Sequence, residues 1–305
     1  MKSIAFYLTH PKEFVLGLMR RNGRLFPNDK QYISLRYWIK YGQWIDWENP
    51  KGFCEKLQWL KVNYRRPEFT GMVDKIEVKK YVSERIGAQY VIKTLGMWDK
   101  FEDIDFSQFK SPFVLKSNNG SGGDGVYICK NPQDIDIDKA KKVIEKSLKK
   151  NVYQELREWP YLNIRRRILA ETYLEDESGQ LKDYKVMCFN GEPKLIQVHI
   201  GRYNGVHTQD FYDVHWKKQN LNQIGCICSD IITPKPECLD EMIKQSRILS
   251  KDLPHVRVDW YIVEGKLYFG ELTFYDASGF EQFIPQEKEL ELGSWITLPK
   301  RFMKN

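Results

Sequence analysis

The chain has 305 residues, 42% of them hydrophobic, with 48 Lys and Arg against 41 Asp and Glu and a net charge of +7. That length supports one large or two to three small domains, and the apolar runs are strand-sized, short of the roughly 18 residues that span a bilayer. So modest a positive charge suits anionic small molecules or an acidic membrane surface and argues against a dedicated nucleic-acid binder.

The N-terminal MKSIAFYLTHPKEF breaks its short apolar stretch at His10, Pro11 and Lys12, unlike an export signal. The six cysteines show no CxxC pair, which fits reduced thiols. A cytoplasmic protein is expected, with its basic, aromatic N-terminus suited to the inner face of the membrane. Residues 1–72 are dense in aromatics such as Tyr37, Trp38, Trp44 and Trp59 at helical spacing, which predicts a helical segment whose rings pack into a core. Within it NPKGFCEKLQWLKV opens on an Asn-Pro helix-start signal and continues with apolar Phe53, Leu57, Leu60 and Val62.

The pattern next predicts a helix over 74–87, a strand near 89–93, a strand ending on Lys116, and a flap strand from Val126 to Cys129. An amphipathic helix over 138–150 puts Ala140, Val143, Ile144 and Leu148 on one side. After Arg165 the chain reads as strands separated by tight turns, with Asn190-Gly191 and Glu264-Gly265 as the turn signals and a helix over 237–251 between them. The fold class expected is α+β, divided into 1–72, 73–168 and 169–305.

Two segments carry chemistry. PFVLKSNNGSGGDGVYICK is a strand ending on Lys116, a glycine-rich loop and a returning strand. Its glycines let backbone N–H groups converge on anionic oxygens, while the order of residues is neither a Walker loop nor a dinucleotide fingerprint. The hairpin RVDWYIVEGKLYFGELTF places Arg257 and Asp259 on one face of its first strand, and Glu271 and Thr273 on one face of its second. Carboxylates on adjacent strands can converge on one hard cation, and Mg²⁺ is held by one or two of them plus phosphate oxygens. The five histidines follow no zinc pattern.

These parts, with DKIEVKKYVSERIG, REWPYLNIRRRILAETYLEDESG, DYKVMCFNGEPKLIQV, FYDVHW and the continuation YDASGFE, come in an order that resembles the ATP-grasp superfamily, and more closely its TupA-like branch. The resemblance implies an ATP-grasp fold, two α+β subdomains gripping ATP behind a helical N-terminal segment. It implies a carboxylate–amine ligase that uses ATP and Mg²⁺ in bacterial cell-surface polysaccharide biosynthesis. Its substrates would be small-molecule or saccharide carboxylates and amines, in peripheral contact with membrane-bound polysaccharide machinery.

By the same resemblance Lys79 and Lys116 contact ATP phosphates, and the loop 117–125, with Ser121, Gly122 and Gly123, closes over the triphosphate. Glu171, Thr172, Tyr173 and Leu174 form the adenine segment, and Lys185 and Arg202 stand near the phosphates. Asp259 and Glu271 are the implied Mg²⁺ ligands, Thr273 stands where many relatives carry Asn, and Arg257 stabilises charge on the reacting acyl phosphate. Asn119 replaces a His frequent in close relatives. Two rival readings are a glycosyltransferase of a polysaccharide pathway and a nonenzymatic ATP-binding scaffold. For the first, the closest DxD-like run, DIDID at 134–138, precedes a helix and reads as its cap.

Overall fold

A computed structural model describes residues 10–120, 123–176, 181–201, 207–300 and 302–303. The N-terminal segment is helical as expected: α1 (Pro11–Arg21), α2 (Asp29–Tyr41), α3 (Phe53–Asn63) and the short α4 (Phe69–Val73), with the two-residue β1 (Tyr64–Arg65) before α4. Helix α3 starts later than the Asn-Pro signal implied. Its N-cap is Gly52, and the Glu55 carboxylate accepts from the N–H of Lys51 (3.0 Å) and Gly52 (3.1 Å), so Asn49 and Pro50 stay outside.

The helix expected over 74–87 is the shorter α5 (Val78–Ile86). Asp74 forms an Asx turn, its carboxylate accepting from Ile76 N at 2.8 Å, which holds residues 74–77 out of the helix. The strand expected near 89–93 is a 3₁₀ turn, Ala88–Tyr90, followed by a lone bridge from Val91 to Phe269. Strand β2 begins only at Thr94 (Thr94–Trp98).

A four-stranded antiparallel sheet has the order β2-β5-β3-β4, with β3 Phe113–Ser117, β4 Val126–Cys129 and β5 Ile168–Thr172. Helix α6 (Ile137–Leu148) covers it, burying Ala140 and Ile144 beside Phe113, Leu115 and Ile168. The expected cap is present, since the Asp136 carboxylate accepts from Lys139 N at 2.9 Å. Strand β5 straddles the boundary expected at 168/169, and by its pairing it belongs to the sheet formed by the preceding residues.

After the short α7 (Val152–Leu156), a five-stranded antiparallel sheet has the order β11-β10-β6-β7-β8. Its strands are β6 Asp183–Phe189, β7 Glu192–Ile200, β8 Thr208–Asp213, β10 His255–Val263 and β11 Lys266–Thr273, and the two-residue β9 (Asn222–Gln223) lies outside this sheet. Both expected turns hold, with Asn190 and Glu264 at positive φ, each followed by a positive-φ glycine. Helix α8 (Leu239–Leu249) packs on this sheet through Leu239, Met242 and Leu249. The N-terminal helices close the same core, placing Tyr32, Ile33, Phe53, Leu57 and Phe69 in one cluster with Val186, Val258, Trp260 and Phe274.

Helix α9 (Gln286–Ser294) locks α3 in place, because Glu289 accepts from Cys54 N at 2.6 Å and Phe283 N at 2.9 Å. All six cysteines are free. Among the described residues no helix is long and apolar enough to cross a membrane.

Candidate active site

A cavity of about 910 Å³ is lined by residues of both sheets and of helices α1, α2 and α5. From the smaller sheet and α5 come Lys79, Lys116 and Glu171, and the loop after β3 adds Gly120, Gly123 and Asp124. Glu171 is buried and bridges the two lysines, 2.6 Å from Lys116 and in direct contact with Lys79. Burial alone would raise the Glu171 pKa, but Lys116 and Lys79 outweigh it and hold the carboxyl ionised. Burial likewise lowers the Lys79 pKa, against the pull of Glu171.

The glycine-rich loop is pinned at its base. Asn118 donates to Asp74 (2.9 Å) and to Arg165 O (2.8 Å) and accepts from Arg167 N (2.8 Å). Gly125 has φ +73°, and a Cβ there would lie 2.3 Å from Ser117 Oγ, so glycine is required for the return into β4. Asn119 is buried and points at Ser147 O and Lys150 O, away from the cavity. In the expected adenine segment Thr172, Tyr173 and Leu174 line the cavity with apolar Val114, Val126, Ile128 and Phe269. Two of its backbone donors are already committed, Thr172 N to Lys93 O (3.1 Å) and Tyr173 N to Pro112 O (3.3 Å).

The larger sheet contributes Lys185 from β6, Arg257 and Asp259 from β10, and Glu271 and Thr273 from β11. The register shifts between Val258↔Leu272 and Trp260↔Phe269, so Gly270 and Glu271 together stand opposite Asp259. Such a bulge re-aims a side chain. A Cβ on Gly270 would sit 3.2 Å from Asp259 O and 3.1 Å from the Tyr261 ring, so glycine keeps the strands close at the bulge.

Arg257 is the hub. Its Nε and Nη2 donate to Asp259 (2.7 and 2.8 Å), Nη2 reaches Glu271 Oε1 (3.2 Å) and Thr273 Oγ1 (3.1 Å), and Nη1 pairs with Asp276. Lys185 contacts Asp259 as well. Despite burial, which opposes charge, Asp259 and Asp276 raise the Arg257 pKa well above its usual range.

The matching family is described as TupA-like ATPgrasp, over residues 55–297. The chain belongs to the TupA-like ATPgrasp family. Its fold is therefore the α+β ATP-grasp fold, as the sequence motifs implied. No curated protein matches the chain.

Among solved structures, D-alanine–D-alanine ligase from Bacillus anthracis complexed with ATP is 17% identical, with 67% of this chain and 55% of that one covered and a TM-score of 0.41. An ADP complex of PurK, N5-carboxyaminoimidazole ribonucleotide synthetase, is 14% identical over 72% of this chain and 50% of that one, at TM-score 0.44. ATP-grasp ligase PsnB with minimal precursor, Mg and ADP is 10% identical over 86% and 66%, at TM-score 0.39. The chain thus spans about half the length of the first two.

Of the expected residues in this TupA-like ATPgrasp chain, Lys79, Lys116, Gly123, Glu171, Thr172, Tyr173, Leu174, Lys185, Arg257, Asp259, Glu271 and Thr273 all line the one cavity. Ser121, Gly122 and Arg202 lie outside the described residues. Sequence reading passed over Asp276, Lys75 and Glu158. Asp276 is buried, pairs with Arg257 and accepts from Gln223 at 2.6 Å, and Lys75 lies 3.7 Å from Glu271. Lys75 and Asp276 belong to recognised motifs, DKIEVK and FYDASGF, whose charged positions were the available signal.

Asp259 and Glu271 offer hard oxygens to a cation, and among the described residues no group of three or more His, Cys, Asp and Glu could hold a metal on its own. That donor set fits Mg²⁺, which takes the rest of its shell from phosphate and water, and does not fit a closed zinc site. Glu271 is ready for the role. Burial pushes its pKa up, but Lys75, Lys185 and Arg257 bring it down to about 2.

Proposed function

We propose that this protein is an ATP- and Mg²⁺-dependent ligase that joins a carboxylate to an amine or similar nucleophile. The observation that carries this reading is the charge division of the cavity, with Lys79 and Lys116 sharing one carboxylate on one side and Asp259 and Glu271 on the other. In the reaction proposed, a substrate carboxylate oxygen attacks the γ-phosphorus and the bond to the β–γ bridging oxygen breaks. ADP leaves an acyl phosphate, the amine attacks its carbonyl carbon, and phosphate departs as the amine proton passes to solvent.

Lys79 and Lys116 would bind and orient the triphosphate as point charges. Asp259 and Glu271, with Thr273 beside them, would hold Mg²⁺, which supplies neutralisation of phosphate charge. Lys185 and Arg257 would bear on charge developing at the reacting carbonyl. Because Arg257 is held by three carboxylates, it is preorganised and has little freedom to reorient toward substrate.

The pathway we propose is bacterial cell-surface polysaccharide biosynthesis, at the cytoplasmic side of the membrane. Helix α1 supports a peripheral position by exposing Phe14, Val15 and Leu18 beside Arg20 and Arg21. We also propose that the chain divides into the helical segment, a nucleotide-side unit and a metal-side unit, with β5 in the first of the two sheets. DIDID is used as the α6 cap, so nothing in that run favours the glycosyltransferase alternative.

Thermal shift with Mg-ATP and with UDP-sugars tests the reading, since a ligand of the native state raises its apparent stability. Stabilisation by Mg-ATP that disappears in Lys116→Ala supports the ligase. Stabilisation by a UDP-sugar alone sinks it in favour of glycosyl transfer.

A further inference from the structure

The metal-side wall of the cavity has a layer of amides behind it. Gln197 on β7 stands opposite Lys185, which stands opposite Asp259, so it shares the face that carries the Arg257 hub. Gln209 on β8 joins that face as the partner of His199, two residues from Gln197. Gln223 is brought in by β9, which pairs with the two-residue β12 (Phe283–Ile284), and Ile224 N donates to Gln282 O at 3.0 Å. All three glutamines are at most 3% exposed, and like Asp276 they stand behind Arg257, which itself lines the cavity.

Their hydrogen bonds run one way. Gln223 Nε2 donates to Asp276 Oδ2 (2.6 Å), Gln209 Nε2 to Gln223 Oε1 (2.7 Å), and Cys226 Sγ to Gln209 Oε1 (3.3 Å). Gln197 Nε2 reaches Gln223 Oε1 (3.3 Å) and Asp276 Oδ2 (3.4 Å). An ionised Asp276 can only accept, so the Gln223 amide turns its nitrogen toward the carboxylate and its oxygen toward Gln209. The other oxygen of Asp276 pairs with Nη1 of Arg257, whose Nε and Nη2 go to Asp259, Glu271 and Thr273. Without the Gln223 donor, Oδ2 keeps the long contact to Gln197, and the carboxylate is free to turn off Nη1.

We propose that Gln223 is a positioning residue for Arg257: through Asp276 it sets the plane in which the guanidinium meets the reacting group. The proposal rests on the ligase reading for the role of Arg257, and adds to it a group that touches neither substrate nor nucleotide. Because Gln223 is fixed in turn by Gln209, the effect should fade along the chain of amides.

The test uses the full chain and two readouts, ¹⁵N NMR of the Arg257 guanidinium, correlated through bonds to its backbone, and basal ADP release from Mg-ATP. Gln223→Met keeps the length of the side chain and removes the amide. Its Arg257 Nη signals should broaden or merge as the guanidinium gains rotation. ADP release should fall about 10- to 100-fold, as for one lost charge-assisted hydrogen bond, while stabilisation by Mg-ADP is kept. Gln223→Glu donates to Asp276 only when protonated, so it should show wild-type Arg257 signals at about pH 5 and the altered ones at about pH 8. Arg257, His255, Glu281, Cys54 and Cys226 share the field of Asp276 in every variant, so comparison with the wild-type profile removes their titration. Gln209→Met, one hydrogen bond further out, should move both readouts the same way and less, and keeps the test readable if Gln223→Met does not fold.

The proposal is overturned by unchanged Arg257 signals in Gln223→Met, or by pH-independent signals in Gln223→Glu. Lowered thermal stability with both readouts of the folded protein unchanged would show that the glutamines only fasten residues 221–226. Failure of Mg-ADP to stabilise the wild type counts against the ligase reading alone, because the Arg257 signals are read without nucleotide.

Discussion

The two walls of the cavity carry opposite charge. On the smaller sheet and α5, Lys79 and Lys116 share the single carboxylate of Glu171. At the larger sheet, Lys185, Arg257 and Lys75 face four carboxylates, Asp183, Asp259, Glu271 and Asp276. The first group keeps one positive charge in excess and the second one negative charge, so the same kind of buried ion-pair network leaves one wall suited to phosphate and the other to a cation. Burial raises the energetic weight of both imbalances, because neither is screened as it would be in water.

The sharpest way to break this contrast is at Asp276, the carboxylate that holds the back of Arg257. Removing one member of a buried pair costs about 3–5 kcal/mol, so Asp276→Ala should lower the unfolding free energy by about that much in denaturant melts. A loss below about 1 kcal/mol would mean the network is slack.

Next comes Glu271→Ala, which should cut ATP turnover by roughly 10²–10³-fold and leave nucleotide affinity nearly unchanged, as measured by ADP release and by direct titration. Parallel losses in both quantities would place Glu271 on the phosphate-binding side and dissolve the distinction between the walls.

Lys116→Ala should do the reverse. Losing a charge-assisted contact worth about 1.5–3 kcal/mol weakens Mg-ATP binding by about 10- to 100-fold, and leaves Glu171 with Lys79 as its remaining ion-pair partner. Unchanged affinity would remove the lysine pair from the phosphate role.

The smallest effect is the pH dependence of stability. The Glu271 pKa is lowered in the folded state, from 4.5 to about 2, so its ionised form adds stability that is fully present above about pH 4.5 and is lost as the pH falls toward 2. Comparing acid melts of wild type and Glu271→Gln should show a shallower decline for the variant across that window. Identical slopes would mean that the neighbouring cations do not hold this carboxyl ionised.

Much of the site was legible because its residues sit on strands with period-two alternation inside long motifs. Lys185 in DYKV, Arg257 and Asp259 in RVD, and Glu271 and Thr273 in ELT stand on faces that the antiparallel pairing then brings together. What escaped notice was contributed by turns and by helices remote in sequence. Asp276 sits in a 3₁₀ turn, Glu158 stands just ahead of another, and Arg36 lies on a helix whose aromatics read only as packing. The late starts of α3 and α5 have a local cause, side chains that take up the first backbone donors.

The sequence by itself determined the α+β class, the helical N-terminal segment, the hairpins at Asn190-Gly191 and Glu264-Gly265, and the family, because periodicity and turn chemistry are properties of neighbouring residues. Only the tertiary structure decided that β5 joins the smaller sheet, that a bulge at Gly270–Glu271 sets Glu271 opposite Asp259, and that Glu171 lies between two lysines. Each of those outcomes depends on pairing register and on charges brought together across long sequence separations, and no local pattern encodes the balance between them.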